Sequence, residues 1–62
     1  MNWTPEEKLK VILALTQRAE ENLTIGRLAR VWQCFDSIRM VARMDGDFLN
    51  RNEATIREDM AP

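Results

Sequence analysis

Between Ile25 and Met44 the chain reads IGRLARVWQCFDSIRMVARM, with apolar residues at Leu28, Val31, Trp32, Phe35, Ile38, Val41 and Ala42. That three-and-four spacing is one face of an α-helix. The segment before it keeps the same period through Leu9, Val11, Ile12, Leu13, Leu15, Ala19 and Leu23. At 100° per residue those upstream positions spread over roughly 200°, about twice what packing on a single neighbour requires. The central stretch is similarly wide, and Ala29, Met40 and Met44 fall outside even that arc. Two helices that are apolar on more than one side need cover from a third segment or from another chain.

Size sharpens the point. At 62 residues the chain is one small domain, and a core of that size rarely stabilises itself without help. Cys34 is the only cysteine and histidine is absent, which removes an intrachain disulfide and the common Cys/His zinc arrangements. Self-association is the device that remains, so a homodimer is expected.

The start and ends of the helices are also written in the chain. Thr4-Pro5-Glu6-Glu7 places a capping residue, a proline suited to the first helical position and a glutamate three residues after the cap. The first helix is expected to run from about 5 to 22. Asn22-Leu23-Thr24 is the expected break, with Thr24 capping a second helix from about 25 to 44. One continuous helix is the rival, but extending its heptad places Gly26 and Arg30 on the seam. A short connection makes the two helices antiparallel neighbours. Asp45-Gly46-Asp47 reads as the end of the second helix, with Gly46 as its left-handed terminal residue. Phe48, Leu49, Ile56 and Met60 belong to a weak third segment, a short helix over about 52 to 60 capped by Asn52 or Asp47. Glu58 and Asp59 oppose the helix dipole at its end, so fraying is expected there. Residues 61–62 are expected to lie outside the ordered domain. The fold class is therefore all-α: an antiparallel helical hairpin plus a short C-terminal helix, its core completed by dimerisation.

Charge is balanced overall at −1 but unevenly placed. Thr24 to Met44 carries Arg27, Arg30, Arg39 and Arg43 against Asp36, whereas Asp45 to Pro62 carries five carboxylates against Arg51 and Arg57. The acidic end neutralises the basic middle within one molecule. No apolar run approaches the ~20 residues of a membrane span, and the N-terminus lacks the features of a signal peptide. With one thiol and no export signal, a cytoplasmic protein is expected.

Motifs for chemistry are scarce. A calcium loop starting at Asp45 would need an oxygen ligand at Leu49, glycine at Asn50 and glutamate at Ile56, and none is present. Asn22-Leu23-Thr24 matches a glycosylation triplet, but turn and capping chemistry accounts for it. Cys34 lies in the apolar stripe with no histidine to activate it, so it reads as a buried, inert thiol. Without histidine, tyrosine, a phosphate-binding loop or a convergent carboxylate pair, the chain is not expected to be an enzyme or to hold a cofactor or metal.

Recognition is left. Trp32 sits at the stripe's margin, and Trp and Arg are the residues most enriched where binding energy concentrates. The expected partner or dimer interface is Val31, Trp32, Cys34, Phe35, Ile38, Arg39, Met40 and Arg43. Small helical proteins of this build serve as inhibitors, adaptors or accessory factors, among them phage and plasmid proteins, which is an analogy of build alone. The expected function is thus a non-enzymatic protein–protein interaction module. The alternative is a compact helix-turn-helix DNA binder, since Thr24 to Arg30 resembles the first helix of that motif and the unit would span Thr24 to Arg43. Its turn would fall at Gln33-Cys34-Phe35, where the apolar stripe continues; a shifted register at Val41 to Gly46 is followed by acidic residues. A third reading is a structural subunit of a larger assembly.

Overall fold

The computed structural model describes every residue from Met1 to Pro62, and its order is α1 (Pro5–Thr24), α2 (Leu28–Arg43), α3 (Gly46–Arg51) and α4 (Glu53–Met60). The all-helical architecture and the α1–α2 hairpin are as expected. Two boundaries and one extra helix are not.

The start of α1 follows its signals. Thr4 Oγ1 accepts from the backbone N–H of Glu7 at 3.2 Å, and Pro5 opens the first turn. The return half of a capping box does not form, because the Glu7 carboxylate faces Lys10 Nζ at 3.6 Å instead. At the other end α1 runs two residues past the expected stop. Thr24 is its last residue and turns its hydroxyl back to the Glu20 carbonyl at 3.0 Å, so it does not cap α2.

Gly26 makes the turn. Its φ is +76°, the left-handed conformation that costs a residue with a Cβ about 1–2 kcal/mol. Arg27 N–H reaches the Asn22 carbonyl at 2.9 Å and Gly26 N–H reaches that of Leu23 at 3.1 Å. This pair of bonds is a Schellman closure, which satisfies carbonyls the helix would otherwise leave open. Gly46, expected in that role, instead begins α3. Met44 ends α2 in an extended conformation (ψ 157°), and the Asp45 carboxylate accepts from Phe48 N–H at 2.9 Å. An aspartate cap one residue before the glycine starts a new helix there, so no left-handed residue is needed.

The expected C-terminal helix over about 52 to 60 is present as α4, and α3 precedes it as the additional helix, the two meeting at Asn52. Asn52 gives no side-chain cap to α4; its amide donates back to the Phe48 carbonyl at 2.9 Å. Nor is Asp59 a fraying acid. It is buried, and its carboxylate accepts a 2.5 Å hydrogen bond from the Ser37 hydroxyl of α2. Arg18 of α1 donates from Nε to the Met60 carbonyl at 3.0 Å, serving one of the last orphan acceptors of α4. The end of α4 is thus tied to both arms of the hairpin.

Packing divides along the hairpin. Toward its open end Val11, Leu15, Val41, Leu49 and Ile56 form the main core, flanked by Trp3, Ile12, Ile38, Met40 and Met60. Trp3 reaches across α3 and donates from Nε1 to Asn50 Oδ1 at 2.8 Å. Toward the connection only Ala19, Val31 and Cys34 are buried together, all of them small residues. Both clusters lie on the side that α3 and α4 cover.

Two substitutions separate core from surface on α1. Leu15→Ala is expected to cost about 2–5 kcal/mol, enough to unfold much of so small a domain, because Leu15 is fully buried. Leu13→Ala, two residues away and exposed, should stay within about 0.5 kcal/mol in the dilute, unassociated chain. Gly26→Ala should cost about 1–2 kcal/mol from backbone strain alone, since an added Cβ meets nothing within 4 Å. Urea unfolding followed by circular dichroism measures all three.

Candidate interaction surface

The hairpin has two broad sides, and only one is covered. Helix α4 meets α1 at Arg18 and α2 at Cys34 and Ser37. At 100° per residue, Leu9, Leu13, Thr16, Glu20 and Leu23 point at least about 140° away from Arg18 on α1. Leu28, Trp32, Phe35, Arg39 and Ala42 stand in the same relation to Ser37 on α2. All ten are exposed, and they form one continuous surface on the side opposite α4. Ile25, in the connection, extends it at 64% exposure.

The surface is apolar where it is large. Leu13 and Trp32 are each 60% exposed, and Leu9, Leu23 and Leu28 are nearly as open. The Trp32 and Phe35 rings meet edge to face, with centroids 5.9 Å apart and planes at 83°. That arrangement suits the aromatic quadrupole. The face carries two charges, Glu20 and Arg39. Arg39 lies 3.8 Å from Asp36, an exposed pair that contributes little. A contiguous apolar patch of this kind is uncommon on an isolated small domain.

The structure splits the expected interface set. Trp32, Phe35 and Arg39 lie together on the free face. Val31 and Cys34 are buried inside the hairpin, and Ile38 packs half-buried against the main core. Met40 is on the other side of α2, half-buried over the core and at the wall of a cleft between α2 and α4. Arg43 is exposed and borders a shallower groove with Met44 and Phe48. Missing from the expected set are Leu9, Leu13, Leu23, Ile25 and Leu28. The excess width of the α1 arc is their signal, but width alone does not say which edge stays open.

The α2–α4 cleft, about 460 Å³, is the other concavity. Arg30, Gln33, Asp36, Thr55 and Glu58 line it, with Ser37 and Asp59 alongside. Its innermost polar groups already bond each other, Ser37 to Asp59, and Arg30 bonds Gln33 at 3.1 Å. No three His, Cys, Asp or Glu side chains converge to hold a metal ion. Cys34 is 2% exposed, and burial first and the nearby Asp59 charge second push its thiol above the usual range, against weaker opposition from Arg30 and Arg18. A thiol held protonated in this way is a poor nucleophile.

The first helix-turn-helix register has no turn, because α2 runs unbroken through Gln33, Cys34 and Phe35. The shifted register does meet a break after Arg43, but the following helix has six residues and carries Asp47 in its first turn. No helix is long and apolar enough to cross a membrane. Comparison of the chain with protein-family models, curated proteins and solved structures finds no match.

The thiol gives a pH-dependent test. A folded-state pKa raised above its unfolded value adds stability that is full below the ordinary thiol value and is lost as pH climbs through the raised one. Alkylation of Cys34 in the native protein at pH 8 should therefore be at least about 100-fold slower than in urea, and should quicken only in the alkaline range where that stability falls. Rapid native labelling at pH 8 would contradict the buried placement.

Proposed function

We propose that this chain is a non-enzymatic protein–protein interaction module whose working surface is the free side of the α1–α2 hairpin. One observation carries the reading: both helices leave large apolar residues uncovered on the same side, around the edge-to-face Trp32–Phe35 pair. Burying that side supplies the apolar area a 62-residue chain lacks on its own, where only eight hydrophobic residues are buried. Self-association is the simplest route to that cover. An inhibitor, adaptor or accessory factor acts through such a surface without performing chemistry of its own. The few polar groups inside the molecule serve its folding: Asp59 holds α4, and Cys34 fills space.

Site-specific photo-crosslinking in cells tests this reading. A benzophenone side chain placed at Leu13 or Trp32 should couple to polypeptide, whereas the same group at exposed Arg57 on α4 should not. No polypeptide adduct from either free-face position would sink the proposal, and steeply salt-dependent, sequence-selective binding to duplex DNA would redirect it. Trp32→Ala should change the unfolding stability of the dilute, unassociated chain by only about 1 kcal/mol, the loss of its edge-to-face pair, yet weaken association by about thirtyfold or more, the behaviour of an aromatic anchor.

A further inference from the structure

We infer that the body covering the free face is a second copy of this chain, packed antiparallel across a two-fold axis that lies in the plane of the face. This rests on the reading of that face as a protein-binding surface and adds its occupant and its geometry.

Area is the first argument. The Cα framework measures 33 × 19 × 18 Å. One long side of such a body is roughly 600 Å² in projection before side-chain relief is counted, close to the ~800 Å² per partner of a standard stable interface. A symmetric pair would use that whole side twice and leave the α3–α4 side to solvent.

Charge placement is the second argument, and it selects the geometry. Glu20 makes no ion pair within its own chain, and Arg39 has only its loose contact with Asp36. Val41 packs with Val11 and Leu15, while Val31 and Cys34 pack with Ala19. Arg39 therefore stands near the level of Leu13, and Glu20 near that of Trp32, on opposite helices and about 10 Å apart along the hairpin. The two charges occupy opposite corners of a diagonal.

A two-fold axis parallel to the helices would stack α1 on α2 of the other copy at matching levels. Glu20 would then press on Trp32 and Arg39 on Leu13, burying Glu20 with no partner and Arg39 with only its loose Asp36 contact, which is strongly unfavourable. An axis that reverses helix direction, with helices crossing at about 50°, the commonest packing class, carries Arg39 of one copy over Glu20 of the other. Symmetry makes the contact twice. The Trp32–Phe35 pairs and the leucines of α1 then fill the space between the two contacts. A face that is apolar with one acid and one base in this placement is complementary to itself.

Sedimentation velocity over about 1 to about 200 µM protein tests the inference on the full chain, with circular dichroism confirming helicity of each variant. The wild type should pass from monomer to dimer in that range. Glu20→Arg and Arg39→Glu should each weaken the dimer by about thirtyfold, since every dimer loses two contacts, and the double variant should return to within about fivefold of wild type. If a reversal lowers helicity, Glu20→Gln and Arg39→Gln report on the same contacts, each with a loss of about threefold to tenfold. A monomer at the highest concentration overturns the second copy as occupant. A dimer indifferent to both single changes, or not rescued by the pair, overturns the antiparallel arrangement. Crosslinking from Trp32 to a different polypeptide, with the chain itself monomeric, would leave the interaction module standing and remove this inference alone.

Discussion

The hydrogen bond from Ser37 to the buried Asp59 carboxylate decides which side of the hairpin is covered. A carboxylate with little access to water is tolerable only when it is hydrogen-bonded, so α4 cannot slide or rotate without stranding that group. The bond from Arg18 to the Met60 carbonyl closes the same end against α1. With α4 fixed, Ile56 falls between the two arms, and Leu49 of α3 follows it into the main core. The opposite side is left open as a geometric consequence, because α3 and α4, the two helices outside the hairpin, both pack on the covered side.

Unequal residue sizes within the hairpin reinforce that division. Ala19, Val31 and Cys34 near the connection are small, whereas the main core toward the open end takes the larger Leu15, Leu49 and Ile56 together with Val41. Helices α3 and α4 contribute Leu49 and Ile56 there, and Trp3 packs against the same core while bonding Asn50 of α3. Cys34 is part of this packing, and its raised thiol pKa is a by-product of burial beside Asp59. The free side has no comparable polar lock. Its residues are positioned by their helices and by one aromatic edge-to-face contact, and they remain exposed.

Several features are legible in the residues alone. Thr4 and Pro5 start α1 as local chemistry demands, and the failure of the heptad at Gly26 and Arg30 announces the hairpin. Burial of Cys34 follows from its place in the stripe. Legibility ends where two local signals compete. Gly26 and Gly46 each sit beside a helix end, and only the backbone reveals that Gly26 adopts the left-handed turn while Asp45 caps a new helix at Gly46. Asp59 resembles a misplaced charge at a helix terminus because its partner, Ser37, is 22 residues away. Leu13 and Leu15 are equally apolar in the sequence, yet one is 60% exposed and the other fully buried.

By itself, the sequence determined helices, their antiparallel pairing and an excess of apolar surface, because those follow from periodicity, local capping and chain length. Only the tertiary structure decided that the excess gathers on one side, with Trp32, Phe35 and Leu13 at its centre and Met40 behind it. The reason is physical. An apolar arc states how much surface needs cover, while the choice of which edge receives it rests on long-range contacts such as Ser37 with Asp59 and Arg18 with Met60, which no local pattern encodes.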